Sequence, residues 1–288
     1  MVPGWSRTLV NNMYRVGKQR NLGSSYRSIS RVSIDSMGKS YADISEGQGL
    51  EQLVNLNKMF RTKPVTLALP LGSPQRINEP NYQGIRLFIL RLMLFYSKES
   101  VSIRAANVIY RRVVSQVENP LVYDVFRLEK TFKTTFSLLV VHMWLCLRRL
   151  KLEGKEGVEL GQYVYEIYNH DLEIRVSKAG VNLLLSKWMR ELEKVFYGNI
   201  VAYDTAMLPE AKTDELYNTI WKNVFSNDGS PAFDAAALPA VLASSHLKLY
   251  AFSRYVRREC TCLSLTDKES MFSGNFMFTT IDNPHTPG

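Results

Sequence analysis

One stretch of twelve residues near the middle of the chain constrains the fold most. Ten of the twelve residues 136–147 are apolar, and apolar residues recur every three or four positions around them. That spacing is typical of an α-helix, and a helix that is apolar on all sides must be surrounded by other elements. The sequence therefore predicts a helix over about 129–152 that lies at the centre of a helical bundle.

The remainder of the chain after residue 85 has the same helical period and lacks alternating strand patterns. We predict an all-α fold, with about six main helices in one domain over 85–278 and a flexible tail over 279–288. The fourth of these helices is expected to stop at Gly198. Its predicted core-facing stripe contains Leu184, Trp188, Leu192 and Val195.

The segment that precedes the domain is rich in proline and is predicted to be a linker. Over 35–84 a short amphipathic helix near residue 55 is expected, followed by four prolines that exclude regular structure across 62–84. These prolines are Pro64, Pro70, Pro74 and Pro80.

Residues 1–34 have the composition of a mitochondrial presequence, which we expect to be disordered. They contain six Lys or Arg, seven Ser or Thr and no acidic residue. A disordered basic tail that binds RNA or acidic lipid, and a plastid address, are the alternatives. The whole net charge of +9 lies in residues 1–98, which hold 14 basic and 5 acidic residues. Residues 99–288 hold 22 of each and are neutral, so their charge does not indicate nucleic-acid binding.

The two most apolar runs, 85–96 and 136–147, are each 12 residues long and too short to span a bilayer. A buried helix is the favoured interpretation of the first run. The alternative is a helix on a membrane surface, with Arg86 and Arg91 extended towards the headgroups.

No catalytic signature is present, and we predict a protein that is not an enzyme and that needs no cofactor. The sequence lacks a glycine-rich phosphate loop, the G-x-S-x-G of hydrolases and the H-E-x-x-H of zinc proteases.

Glu166, His170 and Glu173 share one helical face, but a helical metal site needs further ligands, so we predict a solvated polar face and no metal. His142 is expected to be a core histidine, and three cysteines favour a reducing compartment.

Two basic clusters are the candidate partner-binding residues. Each lies near the predicted C-terminal end of a helix, where the helix dipole stabilises cations, so a structural role is the alternative to binding an acidic partner or RNA phosphate. The clusters are Arg148, Arg149 and Lys151 in the central helix, and Arg254, Arg257 and Arg258 in the last.

Six motifs follow one another along the chain. They are TF-x-x-x-F (131–136), HMWLCLRRLKLEGKEG (142–157), FYGNIVAYDTAM (196–207), LYNTIWKNVF (216–225), YVRREC (255–260) and SGNFMF (273–278). In this combination and order they resemble the motifs of the ubiquinol-cytochrome c chaperones. The motif positions, most of which we expect to be structural, include His142, Trp144, Arg149, Gly154, Tyr203, Asp204, Tyr255, Arg257 and Arg258.

This resemblance implies a helical assembly factor for the mitochondrial ubiquinol-cytochrome c reductase, also called the bc1 complex or complex III. Such a chaperone would bind newly synthesised cytochrome b at the matrix face of the inner membrane, with peripheral membrane contact. A small assembly-partner protein and the mitochondrial ribosome are the further partners that it implies. An RNA- or ribosome-binding mitochondrial translation factor is the alternative function.

Overall fold

The computed structural model describes residues 60–78, 82–212, 214–226 and 240–281, and it leaves out the side chains of 240–246. The predicted presequence and the predicted short helix near residue 55 lie outside these ranges. The described residues form one all-α domain, which confirms the predicted fold class. Its helices are α1 (Ile85–Leu92), α2 (Lys98–Glu118), α3 (Pro120–Phe126), α4 (Phe132–Lys151), α5 (Gly154–Lys178), α6 (Leu185–Ala206), α7 (Glu215–Ile220) with a π-helical turn (Trp221–Phe225), α8 (Ala240–Ser264) and α9 (Lys268–Ser273).

The predicted central helix is α4. It begins after Thr131, whose hydroxyl accepts a hydrogen bond from the backbone N–H of Thr134 and so caps the first turn. Fifteen of its side chains are buried, on every side of the helix. The helices α2, α5, α6 and α8 pack around it.

A glycine allows α4 and α5 to meet closely at their connecting turn. A Cβ atom at Gly157 would overlap the carbonyl oxygen of Leu150. Gly154 has a φ of 68°, in the left-handed region that glycine adopts without strain, and it starts α5. The GKEG sequence at 154–157 therefore determines how tightly the chain turns between the two helices.

The proline-rich segment is packed against the domain, in contrast to the predicted linker. Phe60 and Leu67 are buried, and Leu67 exchanges hydrogen bonds with the last described segment. Its N–H donates to Thr266 Oγ1 at 3.0 Å, and its carbonyl accepts from the N–H of Met277 at 3.1 Å. An isolated antiparallel bridge joins Ala68 to Phe276. We call residues 60–78 the N-terminal strap.

The start of the predicted C-terminal tail is also packed. Ile281 is completely buried, and the N–H of Thr279 donates to Glu259 at 3.1 Å. The ordered domain therefore extends at both ends beyond the predicted 85–278.

Helix α1 contradicts the prediction of a buried helix over 85–96. None of its eight residues is buried, and Ile85 is 78% exposed. Among the described residues, no helix has both the length and the apolar character needed to cross a bilayer.

Helix α6 differs from its prediction in two respects. It continues through Gly198, since the packing of one face offsets the roughly 1 kcal/mol that a helical glycine costs. The face that packs contains Met189, Phe196 and Tyr203, whereas three residues of the predicted core stripe are exposed. Those three are Leu184, Trp188 and Val195.

Candidate partner-binding surfaces

The motif residue His142 belongs to a buried hydrogen-bond chain. Its Nδ1 lies 2.8 Å from the carbonyl oxygen of Leu138, which can only accept, so Nδ1 carries the proton. Its Nε2 then accepts from the hydroxyl of Tyr255 at 2.9 Å, and that hydroxyl accepts from Gln116 Nε2 at 3.0 Å. Burial lowers the pKa of His142 to about 4, so its ring is neutral at physiological pH. This series of hydrogen bonds joins α2, α4 and α8, so His142 has a structural role.

A second buried contact holds α4 to α6. One carboxylate oxygen of Asp204 accepts from the indole N–H of Trp144 at 2.9 Å and from Arg148 at 2.8 Å. The ring of Tyr203 packs on that indole, with 5.2 Å between the ring centroids. The motif positions in α4 and α6 therefore fix the angle at which α6 lies on the central helix.

Three of the predicted basic residues meet at the C-terminal end of α6. Arg148 contacts Asp204, and the guanidinium of Arg257 lies 3.7 Å from the Met207 sulfur. Lys151 is half-buried nearby, where burial lowers its pKa while the charge of Asp204 opposes that effect. We call Arg148, Lys151 and Arg257 the basic cluster.

The other three predicted basic residues have different positions. Arg149 is 8% exposed and donates to the carbonyl oxygens of Leu263 and Thr266, both at 2.8 Å, so it closes the C-terminal end of α8. Arg258 donates to the carbonyl oxygen of Thr62 in the N-terminal strap at 2.7 Å.

Arg254 lies one turn before Arg257 on α8, and its guanidinium stacks 4.3 Å from the ring centroid of Tyr250. We therefore retain Arg148, Lys151, Arg254 and Arg257 as candidates for partner binding. The internal hydrogen bonds of Arg149 and Arg258 assign these two residues to the fold.

An exposed apolar surface runs along α6, about 100° around the helix from its buried face. It comprises the exposed Leu184, Trp188, Val195 and Gly198 and the partly exposed Ala202, and we call it the α6 face. One charged residue interrupts it, because the exposed Glu191 lies in the same stripe and forms an ion pair with Lys194 at 2.8 Å. Trp188 is 50% exposed, and no atom lies within 4 Å of the position that a Cβ at Gly198 would take. Sequence reasoning missed this surface because its apolar residues were assigned to the core. The helical glycine, which serves no internal packing, is the signal that points to it.

The residues considered for metal binding do not form a site. Glu166, His170 and Glu173 are exposed on α5, whereas His142 is completely buried against α8. Within the described ranges, no three His, Cys, Asp or Glu side chains are close enough together to hold a metal ion. The three cysteines are free thiols, and burial raises the pKa of each of them.

The family model described as ubiquinol-cytochrome C chaperone matches residues 124–279, which include α4 to α9. The chain belongs to the ubiquinol-cytochrome c chaperone family. The resemblance identified in the motifs is thus confirmed. The N-terminal strap, α1 and α2 lie outside the matched residues, so this chaperone domain is only part of the ordered structure.

Similar proteins include assembly factors of the ubiquinol-cytochrome c reductase complex. The ubiquinol-cytochrome-c reductase complex assembly factor 1 of Xenopus laevis is 24% identical over 62% of this chain and 81% of its own length. The Homo sapiens protein of that name is 27% identical, over 62% of this chain and 61% of its own length. The mitochondrial protein CBP3 of Saccharomyces cerevisiae is 26% identical over 48% of this chain and 41% of its own length.

A solved structure has the same fold as this chaperone-family chain. The crystal structure of the Cbp3 homolog from Brucella abortus superposes with a TM-score of 0.51 and covers 67% of this chain and 97% of its own. The two sequences are 21% identical, so the likeness concerns the fold alone.

Proposed function

We propose that this protein is an assembly factor for the mitochondrial ubiquinol-cytochrome c reductase and that it holds newly synthesised cytochrome b on the α6 face. It acts at the matrix face of the inner membrane, without catalysis and without a cofactor. Family membership and the names of the relatives support the assembly role. The exposed apolar face of α6 is the observation that supports the mode of action.

The α6 face has the properties of a surface that receives a helix. Its exposed tryptophan supplies a large apolar contact area at small entropic cost, and tryptophan dominates many protein interfaces. Gly198 has no side chain and lies in open space, so the backbone of a partner helix can approach α6 closely at that point. A glycine with no internal role in a helix is costly, and the partner's approach accounts for its presence.

The basic cluster lies at the C-terminal end of the same helix, and Arg254 lies one turn before Arg257 on α8. We expect them to contact acidic side chains of a small assembly-partner protein, whose binding would extend the apolar surface offered to the client. Charges at the rim of an interface mainly affect the rate and specificity of association. The mitochondrial ribosome is a further proposed partner, since it would place the chaperone beside the emerging client.

The proposal is tested by capture of newly made protein in mitochondria that carry a tagged full-length chain. Mitochondrial translation products are radiolabelled, cross-linked and purified through the tag. Cytochrome b is expected among the captured products, and the substitutions Trp188→Ser and Gly198→Leu are expected to reduce its capture severalfold. Leu71→Ser provides the matched control, because Leu71 is an 87% exposed apolar residue in the N-terminal strap and not in α6. Equal capture by all four proteins, or capture of a consistent set of unrelated enzymes, contradicts the proposal.

A further inference from the structure

Helix α1 is apolar on two opposite sides, although it lies at the surface. At about 100° per residue, Ile85, Phe88, Ile89 and Leu92 share one side, and Leu87 and Leu90 share the other. Leu87 and Leu90 are half-buried, while the four residues of the first side are 48–78% exposed. The inner side is therefore partly covered, and the outer side is exposed in the described structure.

The charges on α1 lie on the borders of this outer side. Arg86 and Arg91 are both exposed, and they project about 110° to either side of its centre. No acidic residue occurs over 82–98. An apolar stripe between two arginines matches a helix that lies in the plane of a bilayer, with the stripe among the acyl chains and each guanidinium among the headgroups.

The turn after α1 adds two more exposed apolar side chains, Met93 and Leu94. The N–H of Phe95 donates to the carbonyl oxygen of Leu90, and the N–H of Leu94 donates to that of Arg91. These bonds define a Schellman motif, in which the residue at the position of Leu94 adopts a left-handed conformation and is usually glycine. Leu94 has a φ of 57° and is 68% exposed, so a bulky apolar side chain occupies a strained position that faces solvent.

The domain holds this turn in place. Arg104 on α2 donates to the carbonyl oxygen of Phe95 at 2.8 Å, and its guanidinium lies 4.0 Å from the Phe95 ring centroid. Tyr82 contacts the same ring edge-on, with 6.4 Å between the centroids. The exposed side chains of the turn are therefore presented by a fixed backbone.

We infer that residues 85–94 form a membrane-docking element that binds the surface of a bilayer containing anionic phospholipid. Charge complementarity favours this occupant over a second copy of the chain, because the element carries only positive charge and two copies of it would repel each other. It also favours lipid over an apolar protein groove, because the two arginines border the stripe where headgroup phosphates would lie. The inference depends on the proposed function only for which membrane is bound.

The test measures binding of the purified full-length chain to vesicles by co-sedimentation. The vesicles are phosphatidylcholine alone, or phosphatidylcholine with about 25% phosphatidylglycerol. We expect binding to the anionic vesicles, weakened about tenfold by Phe88→Ser combined with Leu92→Ser. Each of Arg86→Gln and Arg91→Gln should weaken it about fivefold.

Leu94→Gly separates docking from folding. Glycine relieves the left-handed strain, so this variant should be at least as stable to urea as the unchanged protein, yet it should bind anionic vesicles several times more weakly. Trp188→Ser alters the α6 face only and should bind vesicles normally, so loss of client capture and loss of membrane docking are distinguishable.

Three results would overturn the inference. They are equal binding to both vesicle types, vesicle binding that none of the α1 variants changes, and self-association that these variants abolish while vesicle binding persists.

Discussion

The Nε2 atom of His142 lies 2.9 Å from the hydroxyl oxygen of Tyr255, and 113 residues of sequence separate the two. This bond joins the central helix to α8, and Gln116 extends it to α2. Three helices thus share one buried chain of hydrogen bonds. The carbonyl of Leu138 can only accept, and this determines which atom donates in each of the other bonds.

Removing the Tyr255 hydroxyl should destabilise the domain without creating a large cavity. In Tyr255→Phe, both the buried imidazole nitrogen and Gln116 lose a partner, which should cost about 1–3 kcal/mol in the free energy of unfolding. Urea unfolding measures this loss. Tyr250→Phe is the control, since its hydroxyl is bonded only at the surface and its removal should change stability by less than about 0.5 kcal/mol.

His142 should also make the domain less stable in acid. Its folded-state pKa of about 4 lies below the ordinary 6.5, so between these values the unfolded chain takes up a proton that the folded protein does not. Stability should therefore fall as the pH drops from about 6.5 to about 4, by on the order of 3 kcal/mol. Burial raises the pKa of Glu259. A raised carboxyl pKa stabilises the folded protein at low pH, and this contribution to the free energy of unfolding is lost as the pH rises, so it opposes the effect of His142.

The His142 contribution is isolated by a comparison with His142→Gln, in which Glu259 is unchanged. Urea unfolding of both proteins at about pH 7.5 and about pH 5 should give a smaller acid-induced loss for the variant. Parallel losses would show that His142 is not the titrating group.

The same substitution should have opposite effects at two helical glycines. Gly157→Ala places a Cβ against the Leu150 carbonyl and should cost about 3 kcal/mol or prevent folding. Gly198→Ala meets open space and should raise the free energy of unfolding by about 0.5–1 kcal/mol. Thermal and urea unfolding compare the two variants, and destabilisation by Gly198→Ala would mean that α6 needs glycine for its own packing.

Two arginines at motif positions should have different roles, one in the fold and one in partner binding. Arg149→Gln leaves two carbonyl oxygens at the end of α8 without their donor and should lower stability by about 2 kcal/mol or more. Arg257→Gln should change stability by less than about 0.5 kcal/mol and weaken partner capture.

Partner capture is measured by purification from mitochondria across a range of salt concentrations. A steep loss of mitochondrial RNA with rising salt, affected equally by Arg257→Gln, would support the translation-factor alternative. Unchanged protein capture by Arg257→Gln would remove this arginine from the proposed interface.

The sequence predicted the helices better than it predicted which of their faces is buried. The position of α4 followed from its composition, because a helix that is apolar on all sides has no face to expose. Helix α6 has two apolar stripes, one through Trp188 and one through Phe196, and periodicity alone cannot show which of them meets the core. The same ambiguity affected α1, where the inner leucines and the outer stripe both suit a buried helix.

Long-range hydrogen bonds left no local pattern that could be recognised. The prolines of the N-terminal strap correctly excluded helix there, but they do not exclude packing. Leu67 is bonded to Thr266, which lies 199 residues further along the chain. Likewise, the role of Arg149 depends on a carbonyl 114 residues away, so a cationic helix end and a buried clamp have the same sequence signature.

The pairing of the N-terminal strap with the last described segment has a consequence for biosynthesis. Phe276, Phe278 and Ile281 complete the core, and the strap is hydrogen-bonded to the backbone of Asn275 and Met277 beside them. The part of the domain that is synthesised first therefore cannot complete its packing until the last part has been made. A product that terminates a dozen residues short of 281 would lose the bonds of the strap to Asn275 and Met277 and would leave apolar core surface open. Proteolytic quality control would then recognise almost every truncated product as incomplete.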